Sequence, residues 1–285
     1  MKINSISPLK HKYLQMIDTI AKKPDRLYFT GNLPNERLVT VAIVGSRKPT
    51  SYGKEVTYQL AYELAKQGVV IISGLALGVD GIAHRAALDA GGRTIAVVAN
   101  GVDIIYPAAH RGLADEIIKS GGAIISEYPP GTEARDFYFL ARNRIVSGLA
   151  DAVIVTEAAV RSGTLSTVAH ALEQCREVFV VPGNITSPLS AGCNNLLKQG
   201  AQPITCSDDV LAVIAPDRLN SQQILPLGGT PAENQIISLM QAGERDGDQI
   251  LAESGLTAVE FSQALTMLEI NGTVRALGGN QWTLR

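Results

Sequence analysis

At 285 residues and 46% hydrophobic side chains, the chain is long enough for one large domain plus a small one, with the composition of an ordinary soluble globular protein. Its 25 basic and 27 acidic residues nearly cancel, so total charge announces no nucleic-acid partner and any positive surface must be local. Cys175, Cys193 and Cys206 show no CxxC pairing or metal-ligand spacing, which points to a reduced cytoplasmic compartment, and residues 1–23 hold neither a signal-peptide core nor a membrane-length apolar run of about 20 residues.

Residues 1–37 read as a lead-in: a short helix over Tyr13–Arg26, then a brief strand and turn in Leu27–Leu33. From Val39 the pattern becomes strand, turn, helix. The apolar run Val39–Val44 stops at Gly45-Ser46-Arg47, Pro49-Thr50-Ser51 breaks the chain, and Val56, Leu60 and Leu64 recur every four residues, a helix stripe with Ser51 as its N-cap. In such a unit unused backbone N–H groups and the positive end of the helix converge on the turn. Arg47 adds a guanidinium there, so a phosphate would be attracted.

Further strands are expected at Val69–Ser73, Thr94–Ala99, Ala123–Ser126, Ala152–Thr156, Glu177–Val181 and, briefly, Pro203–Thr205. Helices are expected at Val79–Ala90, Leu113–Ser120, Arg142–Leu149, Gly163–Cys175, Asn194–Lys198 and Asp208–Ile214, with a long polar loop over Glu127–Tyr138. Short apolar strands alternating with helices imply an α/β fold: a Rossmann-like, mainly parallel sheet with helices on both faces, over residues 38–215. Residues 216–231 shift toward Asn, Gln, Gly and Pro and read as a linker. Residues 232–285 give three helical segments and two strands around Gly-Gly-Asn280, a small C-terminal winged-helix domain.

In parallel sheets ligands bind beyond the carboxyl ends of the strands. Three turns there are rich in Gly and Ser: Gly45-Ser46-Arg47, the stretch Ser73–Asp80 continuing to His84, and Arg161-Ser162-Gly163-Thr164 at a helix start. Glycine lets backbone amides approach a phosphate, and the hydroxyls add donors. No GxGxxG and no GxxxxGK[ST] occurs, which argues against a NAD site and a P-loop ATPase. Asp80 and His84, four apart, read either as a pair satisfying the turn and helix start or as a catalytic dyad, and no nucleophile stands in a GxSxG context. Asp136–Arg144 interleaves Phe137, Tyr138 and Phe139 with Arg142, Asn143 and Arg144. Exposed rings can stack bases, and arginines at a helix N-terminus call for a nearby anion. Lys198 is a third basic candidate, or a favourable charge at a helix C-terminus.

Taken in order, Gly45-Ser46-Arg47, Ser73–Asp80 with His84, Tyr106-Pro107, Ser126-Glu127, Arg142-Asn143-Arg144, Ser162-Gly163, Pro182-Gly183, Gly192-Cys193-Asn194 and Gly200-Ala201 resemble the bacterial DNA-processing protein A family, DprA or Smf, over about two-thirds of the chain. The resemblance implies a Rossmann-like domain that binds single-stranded DNA without cutting it, forms a homodimer, and loads the recombinase RecA onto incoming strands during natural transformation. It also implies that Ser46 and Arg47 hold a phosphate beside Ser162 and Gly163, that Phe139 stacks on a base, and that Arg142 and Asn143 meet the strand.

Two positions depart from the family: Leu140 stands where Pro is usual, and Ala141 where Lys is frequent. Modest single-site affinity is therefore expected, offset by dimerisation if both sites engage one strand. With about thirty-five residues ahead of the first strand, the amino-terminal helical domain of many relatives is not expected. The candidate DNA-binding residues are Gly45, Ser46, Arg47, Lys48, Phe139, Arg142, Asn143, Arg144, Ser162, Gly163, Thr164, Asn194 and Lys198. No catalytic residue, metal or cofactor is expected, and no membrane partner.

From Asp217 onward eight acidic residues face four basic ones, a balance of −4, and the expected recognition helix carries Glu260 and Glu269 with no Lys or Arg. Phosphates would be repelled, so the winged helix reads as a protein-docking module. The rival reading is a nucleotide or nucleoside-monophosphate hydrolase of a related Rossmann-like fold, which Ser162-Gly163-Thr164 and Glu173 match loosely. A pure interaction scaffold is the third.

Overall fold

Apolar runs too short to cover themselves pair edge to edge, and a computed structural model, which describes residues 2–219 and 229–284, places them in one nine-stranded sheet. The chain divides into two units, Met1–Leu219 and Asn220–Arg285. In the first, β1 (Asn4–Ile6), a 3-10 helix (Lys12–Thr19) and β2 (Leu27–Gly31) precede β3 (Thr40–Val44), α1 (Ser51–Lys66), β4 (Val70–Ser73), α2 (Val79–Asp89) and β5 (Thr94–Val97). There follow α3 (Arg111–Lys119), β6 (Ala123–Ser126), α4 (Asp136–Leu149), β7 (Ala152–Val155), α5 (Thr164–Glu173), β8 (Glu177–Val180), α6 (Ala191–Lys198), β9 (Gln202–Pro203) and α7 (Ser207–Ile214).

The strand order is β1-β2-β6-β5-β4-β3-β7-β8-β9. Strands β3 to β9 run parallel, while β2 pairs antiparallel with β6, and β1 with β2. Residues 4–31, expected as a lead-in, thus supply two strands of the sheet itself, and the expected helix at Tyr13–Arg26 is a shorter 3-10 helix.

Alternation along β3 explains the layering. Val41 and Ile43 pack with Leu60 and Leu64 of α1, Ala83 of α2 and Val210 of α7, whereas Ala42 and Val44 pack with Ile145 of α4, Val168 of α5 and Leu196 of α6. Both faces are covered, so every residue of β3 is buried. The chain leaves the centre at β3, builds outward to β6, then returns to β7 beside β3 and builds the other way. That reversal leaves a crevice beyond the carboxyl ends of β3 and β7, the place where open α/β sheets hold ligands.

Two helix starts differ from expectation. Thr50, not Ser51, caps α1, its Oγ1 accepting from the Gly53 amide at 3.1 Å. Helix α4 begins at Asp136, so Phe137, Tyr138 and Phe139 lie on its first turn rather than in a loop, and Arg142 and Arg144 lie at its middle rather than its start.

In the second unit α8 (Pro231–Gln241), α9 (Gly247–Ser254) and α10 (Ala258–Ile270) precede the hairpin β10 (Val274–Gly278) and β11 (Gln281–Leu284), the winged-helix order. Ile236, Ile250, Phe261, Leu265, Leu268 and Val274 form its core, and a Thr257/Glu260 capping box starts α10. The linker expected over 216–231 falls mostly on residues 220–228, outside the described residues. At its near end Pro216–Arg218 is a short 3-10 helix.

Candidate nucleic-acid interface

Gly45 ends β3 where nothing larger fits: a Cβ there would meet Val79 Cγ2 at 2.7 Å and the Glu157 carbonyl at 2.9 Å. The turn that follows is held from below. Ser46 N–H donates to Glu157 O at 2.7 Å, its Oγ accepts from Lys48 N–H at 3.1 Å, and its carbonyl accepts from Val79 N–H at 3.1 Å. Gly78, at φ +81°, supports the turn so closely that a Cβ would lie 2.3 Å from Ser46 O. This rigid base leaves the side chains of Arg47 and Lys48 exposed.

The start of α1 is already faced by a buried protein carboxylate, which weakens the pull on a phosphate expected there. Glu157, only 2% exposed, accepts from Thr50 N–H at 2.8 Å and from Thr50 Oγ1 at 2.6 Å. A protein carboxylate already answers that helix dipole. The anion-receptive start belongs instead to α5. There Ser162 Oγ accepts from Thr164 N–H at 3.2 Å and donates to Thr164 Oγ1 at 3.0 Å, and Thr164 Oγ1 donates to Gly45 O at 3.0 Å, tying the two turns together. The amides of Ser162 and Gly163 meet no acceptor among the described residues.

Between these turns lies a pocket of about 370 Å³, lined by Gly45, Arg47, Phe139, Leu140, Arg142, Asn143, Ser162, Gly163 and Thr164, and by Asp80 and Arg161. Phe139 is half-buried. Arg47 Cζ sits 5.4 Å from its ring centroid, and the Tyr106 ring lies on it at 5.7 Å, tilted by 46°. Asn143 Nδ2 donates to Ser166 Oγ at 2.8 Å, which fixes α4 against the start of α5.

The two central arginines are placed otherwise than expected. Arg142 is 4% exposed. It donates to the carbonyl of Gly74 at 2.8 Å and to that of Val97, closing the ends of two strands and forming the pocket floor. Burial pushes its pKa down to about 10, against the pull of the Asp80 carboxylate. Arg144, 9% exposed, pairs with Glu127 at 2.5 Å and caps Ala141 O at 3.1 Å, so its guanidinium is spent within the protein. Neither presents an open cation to a strand. Arg142 acts instead as a fixed positive charge beneath the pocket.

Asn194 and Lys198 stand outside this pocket. Asn194 braces Gly183, accepting from its N–H at 3.3 Å and donating to its carbonyl at 3.1 Å, and Lys198 is exposed at the last turn of α6. Lys48 lines an adjoining groove. Two residues of the site stood in the motifs quoted from the sequence but not among its candidate binding residues: Arg161, the first residue of the turn that supplied Ser162, and Tyr106, whose ring completes the stack on Phe139.

Asp80 and His84 do not form a dyad. Asp80 accepts from the amides of Gly74 at 3.0 Å and Ala76 at 3.4 Å, and burial raises its pKa against the opposing pull of Arg142 and these bonds. His84 Nδ1 lies 2.7 Å from Thr94 Oγ1, whose own proton goes to Ile71 O at 2.7 Å, so Nδ1 carries the hydrogen and Nε2 is left bare and buried. Glu173, the carboxylate of the hydrolase reading, is at the far end of α5, about 13 Å along the axis from Thr164, and pairs with His170 at 3.3 Å.

A family profile described as DNA recombination-mediator protein A matches residues 4–215, and one described as the DprA winged helix domain matches residues 221–280. The chain is 43% identical over 211 residues to the DNA processing protein DprA of Streptococcus pneumoniae, with 74% of each chain covered. It is 45% identical over 188 residues to protein Smf of Escherichia coli, covering 66% of this chain and 50% of that one. It spans 64% of the length of its Mycobacterium tuberculosis relatives, at 40% identity over 250 residues and 86% of its own length. Among solved structures it resembles that of DNA processing protein A from Streptococcus pneumoniae, at TM-score 0.70 and 41% identity, with 75% of both chains covered. It also resembles DNA processing protein A from Helicobacter pylori, described for its single-stranded DNA binding mode, at TM-score 0.67 and 35% identity, covering 76% of this chain and 97% of that one.

Proposed function

Because the chain belongs to the DNA recombination-mediator protein A family, we propose that its Rossmann-like domain grips single-stranded DNA at the crevice between β3 and β7 without cutting it. On this reading the protein works in the cytoplasm as a homodimer, protects incoming strands, and loads the recombinase RecA onto them during natural transformation. The observation that carries the proposal is the meeting of Arg47, the Phe139 ring and the start of α5 around one pocket. A phosphate would take the Arg47 guanidinium and the amides of Ser162 and Gly163, while an unstacked base lies on Phe139 and Tyr106. Bases in a duplex are already paired and stacked, so the pocket selects single strands. The relative from Helicobacter pylori, described as binding single-stranded DNA, supports the same ligand.

The winged helix serves protein docking in this scheme. Its balance is −4 from Asp217 onward, and α10 carries Glu260 and Glu269 without Lys or Arg. The distance of Glu173 from the Ser162 turn disfavours base release from nucleotides.

Titration of a fluorescent single strand and of a duplex of the same sequence, at several salt concentrations, tests the binding step: the single strand binds more tightly, and its affinity falls steeply with salt. Equal affinity for both forms would overturn it. Loading is read as faster RecA nucleation on strands carrying this protein, and dimerisation as the mass found by sedimentation.

A further inference from the structure

Beside the pocket, between the start of α1 and the first turns of α2, runs a groove of about 610 Å³ whose lining includes Arg47, Lys48, Lys54, Tyr58, Arg85 and His110. Arg47 also lines the pocket and a slot of about 60 Å³ that it forms with Tyr106 and Phe139. One guanidinium therefore borders three adjoining hollows, and the surface through them is continuous.

The cations of the groove are not equivalent. Arg85 is engaged by Glu116 through both of its terminal nitrogens, so its charge is largely answered. Lys48 and Lys54 are exposed and take part in no ion pair among the described residues. His110 is held by Leu75 O at 2.8 Å. Tyr58 donates its hydroxyl to Asp89 at 2.9 Å and stacks on Tyr62, centroids 6.1 Å apart and planes within 15°, which fixes a partly exposed ring beside Lys54. Two unanswered ammonium groups, Lys48 ahead of α1 and Lys54 on its first turn, followed by an oriented aromatic face repeat the pairing of cation and ring that Arg47 and Phe139 make in the pocket. Asp89 marks the far end, where an anion would be repelled.

We propose that this groove is a second subsite for the same polynucleotide, taking the nucleotides next to those held in the pocket: phosphates at Lys48 and Lys54, a base against Tyr58. The inference rests on the reading of the pocket as a single-strand site. It makes affinity depend on length, because a strand filling only the pocket leaves Lys54 untouched.

The test compares the full chain with Lys54→Glu and Tyr58→Ala, using oligothymidylates of about six and about twenty nucleotides. Both variants bind the short strand as the wild type does, which also reports intact folding. Lys54→Glu binds the long strand about tenfold more weakly, with a salt slope lower by about 0.7 for each phosphate no longer neutralised, and Lys54→Arg restores it. Tyr58→Ala weakens the long strand with the salt slope unchanged. An unchanged affinity of Lys54→Glu for the long strand overturns the inference, and is also the outcome if the groove takes an acidic protein segment. Equal losses at both lengths overturn it as well. A wild type that binds neither strand defeats the reading of the pocket itself, a result distinct from these.

Discussion

The guanidinium of Arg47 stands 5.4 Å from the centre of the Phe139 ring, joining the turn after β3 to the first turn of α4 across ninety-two residues of sequence. A cation over a ring face is worth about 0.5–1 kcal/mol where exposed. Stacking leaves the edge of the guanidinium, with its N–H groups, open to a phosphate, so ring and cation can hold adjacent parts of one nucleotide.

Arg47→Ala is expected to weaken single-strand binding at least about tenfold and to lower the dependence of log K on log salt by about 0.7, the share of one phosphate. Arg47→Lys keeps the charge, loses the stack, and falls between. Anisotropy titrations at several salt concentrations measure both quantities. An unchanged slope in Arg47→Ala would remove this residue from the phosphate contact.

Phe139→Ala should cost about 1–3 kcal/mol of binding while leaving the salt slope alone, and Phe139→Trp should retain most of the affinity. The same titrations separate this loss of stacking from the loss of charge at Arg47.

Arg142 tests a different quantity. Removing its guanidinium in Arg142→Met strands the carbonyls of Gly74 and Val97 and leaves Asp80 buried without its neighbouring charge. A loss of about 3 kcal/mol of unfolding free energy follows, read from urea denaturation. Arg47→Ala, which gives up only the contact of an exposed guanidinium with Phe139, lowers the same unfolding free energy by no more than about 1 kcal/mol.

His84 sets an acid limit. Burial, with His110 and Arg142 nearby, lowers its pKa from 6.5 to about 3 in the folded protein. Between those values the unfolded chain binds the extra proton and the folded one does not, so the contribution is intact above pH 6.5 and is lost as pH falls toward 3. Asp80, with its folded pKa raised, acts in the opposite sense: the folded chain holds its proton more tightly, which favours folding on the acid side. Urea midpoints across the acid range are expected to fall, and in His84→Leu to fall less steeply. Parallel profiles would mean that His84 titrates alike in both states.

Much of the first unit was legible because its strands are buried on both faces and read as unbroken apolar runs, such as Thr40–Val44 and Ala123–Ser126. The start of α4 was not legible. Asp136-Phe137-Tyr138-Phe139 carries no helical stripe, since Phe137 is 59% exposed while Tyr138 packs on Tyr128. The fates of Arg142 and Arg144 were hidden for a related reason: arginine is rarely buried, and its partners here are two strand-end carbonyls and a glutamate seventeen residues upstream. Glu157 was missed as the carboxylate that accepts from Thr50 at the start of α1 because the two meet only through the pairing of β3 with β7. The turns themselves were found, since Gly and Ser at the carboxyl ends of strands leave a local trace.

The last strand of the sheet, β9, has only two residues, Gln202 and Pro203, and one of them is an imino acid with no hydrogen to donate. A foreign strand laid along that margin would find almost no ladder to extend, which blunts runaway edge-to-edge polymerisation during synthesis and refolding.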